Sequence, residues 1–125
     1  MEEKKIIFYT KNNDEIILRC KYAKSYYEKI KGLMNVKSLQ SHEGMIFFFK
    51  FPWFRFFWMK NVEIPLDIIF INRKKQVLNY YEADVEKGIL YKLYFSHGLC
   101  KYVIECNKGL CKKNKINKGS KIKIK

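Results

Sequence analysis

Phe57-Trp58-Met59-Lys60-Asn61-Val62-Glu63-Ile64-Pro65-Leu66-Asp67-Ile68-Ile69-Phe70 is the stretch that decides how this chain of 125 residues is read. Pro65 has no N–H to give to a sheet, so it belongs ahead of a strand, which then runs over residues 66–72. Asp67 interrupts that otherwise apolar strand, and a buried carboxylate is costly unless it is hydrogen-bonded or paired. The segment therefore predicts both a core strand and a charge that needs a partner.

Working outward, residues 45–51 and 56–59 read as buried strands joined around Pro52. Downstream, Arg73-Lys74-Lys75-Gln76 turns the chain into a strand over 77–82, and residues 89–95 and 101–106 supply two more. Near the N-terminus, residues 5–9 and 15–22 flank the turn chemistry of Asn12-Asn13-Asp14 and predict a hairpin. In its second strand Ile16, Leu18, Cys20 and Tyr22 share one face, opposite Arg19 and Lys21. Ser25-Tyr26-Tyr27-Glu28 is a capping-box pattern, and Gly32 stops the short helix it opens. A second short helix is expected within 107–115 despite Gly109, and Lys118-Gly119-Ser120 turns into a final strand. Closely spaced strands with one or two short helices predict a mainly β fold, a compact β-sandwich or partly closed barrel, in one domain over 1–125.

Composition narrows the class. Aromatics make up 17% of the chain, which favours strands. The apolar stretch over 44–59 is broken by Lys50, Pro52 and Arg55 and is too short for a membrane span, which takes about 20 residues. Met1-Glu2-Glu3-Lys4-Lys5 leads into an alternating strand rather than an apolar signal region, so a cytoplasmic location is expected. Cys20, Cys100, Cys106 and Cys111 have neither Cys-x-x-Cys spacing nor an oxidising context, and reduced thiols packed as small apolar groups are expected. A set of Cys100, Cys106, Cys111 and His97 matches no tetrahedral template, so no metal or cofactor is expected. The formal charge of +14 is uneven, with eight Lys and no acid in residues 108–125. Such a field attracts nucleic acid or another anionic polymer. Lys121-Ile122-Lys123-Ile124-Lys125 is equally the pattern of an edge strand protected by lysines.

Several motifs now stand in one order. Gly32-Leu33-Met34 and Leu39 come first, followed by Gly44-Met45-Ile46-Phe47 with Phe49. Next are Phe57-Trp58-Met59-Lys60-Asn61 and Ile64-Pro65-Leu66-Asp67-Ile68-Ile69-Phe70-Ile71. Tyr102-Val103-Ile104-Glu105, Gly109, Ile116 and Gly119 close the series. Together they resemble domain-of-unknown-function family 192 over about residues 16–124, with Trp-Met-Lys-Asn-x-x-x-Pro-Leu-Asp as the most specific string. The resemblance implies a compact β-rich barrel or sandwich and carries no established activity. The family's usual Arg after Gly-Leu-Met is Val36 here, its frequent late Asp is Ser120, and its Pro near Glu82-Ala83 is missing.

Inside the resemblance the polar candidates are Lys60, Asn61, Asp67 and Glu105, beside Trp58. They predict either latches that hold the Pro65 turn against the sheet or one cleft with a small polar ligand or an acid/base pair. Ser25, Ser38, Ser41, Ser96 and Ser120 lie in no nucleophile-elbow pattern, His42 and His97 fall in loops, and no Gly-rich phosphate loop is present. From Phe47 to Trp58, nine of twelve residues are Phe or Trp, interleaved with Lys50 and Arg55. Strand alternation cannot bury every one of those rings, so the turn at Trp53, Phe54 and Arg55 is expected to form a partner-contact surface unless another hairpin covers it. The expectation is a non-enzymatic binding or interaction module with an aromatic and basic contact surface. The alternatives are a ligand-binding or hydrolytic site around Lys60, Asp67 and Glu105, and nucleic-acid binding through the basic C-terminal half.

Overall fold

The structure, a computed structural model, describes residues 2–125. Its strands are β1 (Glu3–Tyr9), β2 (Glu15–Ala23), β3 (Glu43–Trp53), β4 (Phe56–Phe57), β5 (Leu66–Ile71), β6 (Val77–Ala83), β7 (Tyr94–Phe95), β8 (Cys100–Asn107) and β9 (Ile122–Ile124). The helices α1 (Tyr26–Lys31) and α2 (Leu110–Lys113) are both short. Seven strands form one sheet in the order β6-β5-β8-β3-β2-β1-β9, and β4 pairs with β7 as a separate ribbon. Every pair in the large sheet is antiparallel except β2–β3, whose parallel pairing requires the crossover that contains α1.

The sheet curls until its two ends meet. Gln76, just before β6, bridges Lys121, just before β9. The Val77 N–H donates to the Ser120 carbonyl at 2.8 Å, and the Ile122 N–H donates to the Lys75 carbonyl at 2.9 Å. The result is a half-barrel, the second of the two architectures expected from the sequence.

Strand alternation then sorts the apolar residues into two cores. Ile6, Phe8, Leu18, Ile46, Ile69 and Ile104 fill the inside of the curl, closed by Cys111 and Ile116. Phe47, Leu66, Ile68, Phe70 and Val103 face the other way and are covered by Leu33, Met59 and Val62 from the loops. Gly44 sits where β3 crowds β8: a Cβ there would lie 2.6 Å from the Glu105 carbonyl oxygen.

Four local expectations are corrected. The first concerns Pro52, which lies within β3 and does not end it. The register with β8 breaks between Phe48 and Trp53, and a proline is tolerated at such a bulge because no ladder N–H is needed there. Residues 56–59 shorten to Phe56–Phe57, paired with β7 rather than with β3. The strand expected over 89–95 reduces to Tyr94–Phe95; Ile89 is 93% exposed, with no neighbouring strand to pair with. The second helix is the single turn Leu110–Lys113, shorter than the window over 107–115. Among the described residues no helix is long and apolar enough to cross a membrane.

Candidate ligand pocket

The capping box forms as its residue types dictate. The Glu28 N–H donates to Ser25 Oγ at 3.0 Å, and the Ser25 N–H donates back to Glu28 Oε1 at 3.0 Å. Gly32 ends α1 at φ 47°, a conformation an L side chain rarely adopts, and drops the chain over the outer core. The loop that follows is tied to the Met59–Val62 turn, where Asn61 takes φ 59° and its carbonyl accepts the Asn35 N–H at 2.8 Å. Met59 is the buried anchor of that turn, and the Val62 N–H closes it onto the Met59 carbonyl at 3.1 Å.

Between α1, this loop and the aromatic segment lies an open cavity of about 600 Å³. Phe47, Phe49 and Phe57 form its wall, packed edge to face: Phe47 and Phe57 centroids are 4.9 Å apart, and Phe49 and Phe57 centroids 6.5 Å. Phe54, Phe56 and Trp58 continue the lining toward the mouth.

Four cations, Lys29, Lys31, Arg55 and Lys60, line it, and three of them stand on its rings. The Arg55 guanidinium lies 4.0 Å above the Phe49 ring, Lys29 Nζ lies 4.9 Å from the same ring, and Lys60 Nζ lies 5.3 Å from the Trp58 ring. None of the ion pairs among the described residues includes any of the three. Burial lowers the pKa of Lys29, and the charge on Arg55 lowers it further. Arg55 is also lowered by burial. Its Nη2 donates to the Phe51 carbonyl, but its Nε is buried with no partner among the described residues. The backbone around it is fixed, because the Arg55 N–H donates to Ser96 Oγ at 2.9 Å and the Ser96 N–H returns to the Arg55 carbonyl at 2.8 Å.

Glu105 forms part of the inner lining. It is 3% exposed, and no hydrogen bond reaches its carboxyl from any described residue; burial alone pushes that carboxyl up to about 8. A Cβ on Gly32 would stand 3.7 Å from Glu105 Oε1 and 3.2 Å from the tip of Phe47, so the glycine keeps this end of the cavity open.

The sequence candidates therefore separate. Trp58, Lys60, Arg55 and Glu105 line the cavity with Phe54, while Trp53, 63% exposed, packs edge-on against Phe54 outside it. Asn61 shapes the adjoining turn and does not line the cavity. Asp67 lies on the opposite face of the sheet. In the β5–β8 register Ile68 stands opposite Glu105 and Asp67 opposite Cys106, so period-2 alternation points the two carboxylates in opposite directions. The alternative of one cleft shared by Lys60, Asn61, Asp67 and Glu105 is not formed.

Asp67 is instead a latch: Oδ1 accepts the Gly109 N–H at 3.1 Å and Oδ2 the Cys111 N–H at 2.9 Å, capping α2 from a neighbouring strand. Burial raises its pKa, and the two backbone hydrogen bonds oppose the rise. Lys29 was not among the sequence candidates. Its signal was the helical spacing from Ser25, but only the fold shows that α1 lies over Phe49.

The four cysteines are free and buried, and burial raises every thiol, Cys20 to about 12 and Cys100 to about 11. They are held as thiols rather than as the thiolates that ligate metals or attack substrates. No cluster of three or more metal-ligating side chains occurs among the described residues.

A curled half-barrel whose outer face carries an aromatic and cationic pocket defines the class of this protein. The chain belongs to family DUF192 (Uncharacterized ACR), whose model matches residues 8–124. Two crystal structures are similar to it. One is a protein of unknown function from Novosphingobium aromaticivorans, with a TM-score of 0.88 and 31% identity over 95% of this chain and 83% of that one. The other is a proposed transcription regulator from Sinorhizobium meliloti, with a TM-score of 0.91 and 24% identity over 98% of this chain and 94% of that one. Comparison with curated proteins returned no match.

Proposed function

We propose that this protein is a non-enzymatic binding module and that the pocket beneath α1 is its contact surface, taking a small organic anion with an apolar body. The observation that carries the reading is the pair of cations on one ring of the cavity wall: Arg55 and Lys29 both stand on Phe49, and neither is in an ion pair among the described residues. The positive charge of Arg55 disfavours that of Lys29 on the same ring, a repulsion that an entering anion relieves, and Lys60 adds a third cation on Trp58. The Phe47, Phe49 and Phe57 rings supply the surface for an apolar body. Two carboxylates on opposite faces of the sheet speak against an acid/base pair.

The test is calorimetric titration with 4-methylbenzoate against its uncharged analogue 4-methylbenzyl alcohol. The carboxylate is expected to bind and the alcohol to bind at least tenfold more weakly. Arg55→Met, which keeps bulk and removes charge, should erase that preference. Equal affinity for both compounds, or an Arg55→Met variant that binds as the wild type does, would overturn the reading.

A further inference from the structure

Glu105 has no role in binding an anion, yet it occupies the inner end of the same cavity. Its side chain leaves β8 on the outer face, opposite Met45 of β3 and Ile68 of β5, neither of which offers a polar atom that bonds to it. It is 3% exposed, and burial alone accounts for its raised pKa, with no hydrogen-bond contribution from any described residue. One carboxylate oxygen lies beside the gap that Gly32 leaves open at the tip of Phe47. The cations sit farther along the wall, on the Phe49 ring, two residues along β3 from Phe47. Two residues of a strand span about 7 Å. The cavity therefore has an acceptor at its inner end, cations at its outer end and aromatic rings between them.

We propose that the ligand is a bipolar molecule, with an amine or similar hydrogen-bond donor that meets Glu105 and an anionic group that meets Arg55, Lys29 and Lys60, joined by a short apolar or aromatic body. The inference rests on the anion-binding reading above and specifies the other end of the ligand. A buried carboxyl to which no described residue donates is a site for a donor brought from outside, and an amine there also favours its ionised form. Gly32 is what makes the oxygen reachable, because any Cβ at that position would press against Phe47 and the mouth of the gap.

A matched set of probes tests it: 4-(aminomethyl)benzoate, 4-methylbenzoate and 4-methylbenzylamine, each titrated into the full chain by calorimetry. The bipolar compound is expected to bind at least tenfold more tightly than either compound with one charged end, and Glu105→Gln should lower the ratio of its affinity to that of 4-methylbenzoate by at least tenfold. Gly32→Ala should reduce the same advantage by narrowing the approach. If 4-methylbenzoate binds through Arg55 and the amine adds nothing, the bipolar ligand is refuted and the anion site stands. If none of the three binds, both readings fall. Loss of 4-methylbenzoate binding in a folded Glu105→Gln variant would also refute the proposal, because it would make Glu105 a support for the pocket.

Discussion

Replacing Glu105 by Gln should raise stability at neutral pH and flatten its dependence on pH. Burial moves the folded-state carboxyl from 4.5 to about 8, and no charged neighbour or hydrogen bond contributes to the change. Met45, Phe47 and Ile68 surround it on the sheet, and the charged groups that share the cavity are Lys29, Lys31, Arg55 and Lys60. The sign follows from linkage. Below 4.5 both states hold the proton and the folded state has its full stability; as pH rises the unfolded chain ionises first, and stability is lost until the folded carboxyl also ionises near 8. At about 1.36 kcal/mol per pH unit, the whole window is worth about 5 kcal/mol, of which about 3 kcal/mol is already lost at pH 7. That is a large share of the roughly 5–15 kcal/mol that holds a domain folded. Gln keeps the shape and removes the proton equilibrium. Glu105→Gln is therefore expected to match the wild type at pH 4 and to exceed it by about 3 kcal/mol at pH 7, or about 10 °C in Tm. Thermal melts followed by circular dichroism across pH 4–9 check this. Melting curves for the two proteins that stay parallel over that range would refute the reasoning, since the carboxyl would then be paired or solvated in the folded state.

Other substitutions test other parts of the account. Asp67→Ala leaves the Gly109 and Cys111 N–H groups without acceptors and should cost about 3 kcal/mol in urea unfolding; a loss below about 1 kcal/mol would mean water replaces the latch. Ser25→Ala should cost about 1 kcal/mol by removing half of the capping box, with the fraying of α1 visible in amide exchange. Gly44→Ala should cost about 2 kcal/mol or more, because its Cβ would meet the Glu105 carbonyl at 2.6 Å, and an unchanged unfolding midpoint would contradict that crowding. Trp53→Ala should change stability by no more than about 0.5 kcal/mol, as expected for an exposed ring, and a larger loss would make the ring part of the core.

Short-range chemistry was the most readable part of the sequence. The Ser25–Glu28 box, the β1–β2 hairpin and the position of Pro65 before β5 depend on neighbours a few residues away, and each appears where the residue types place it. The structure departs from the local sequence pattern where strand pairing decides the outcome. Ile89 and Leu90 have strand-forming side chains but no partner strand, and Pro52 is accepted inside β3 because a bulge removes the need for its N–H. Asp67 and Glu105 were both recognisable as charges needing partners. Their separation to opposite faces depends on the register between β5 and β8, which neither strand's own pattern reveals. The aromatic run at Phe47–Trp58 signalled rings that alternation could not hide, and Phe51, Trp53, Phe54 and Phe56 are indeed exposed. The pocket itself joins α1, the turn at Lys60 and the end of β8, which are far apart along the chain and meet only in the fold.

The central claim is that the cavity beneath α1 receives an anion. Amide chemical-shift mapping of isotopically labelled protein during titration with 4-methylbenzoate addresses it most directly. The account predicts shifts centred on Gly32, Leu33, Phe49, Arg55 and Trp58, and their loss in Arg55→Met. Shifts confined to the lysine-rich residues 108–125, or no shifts at all, would contradict it.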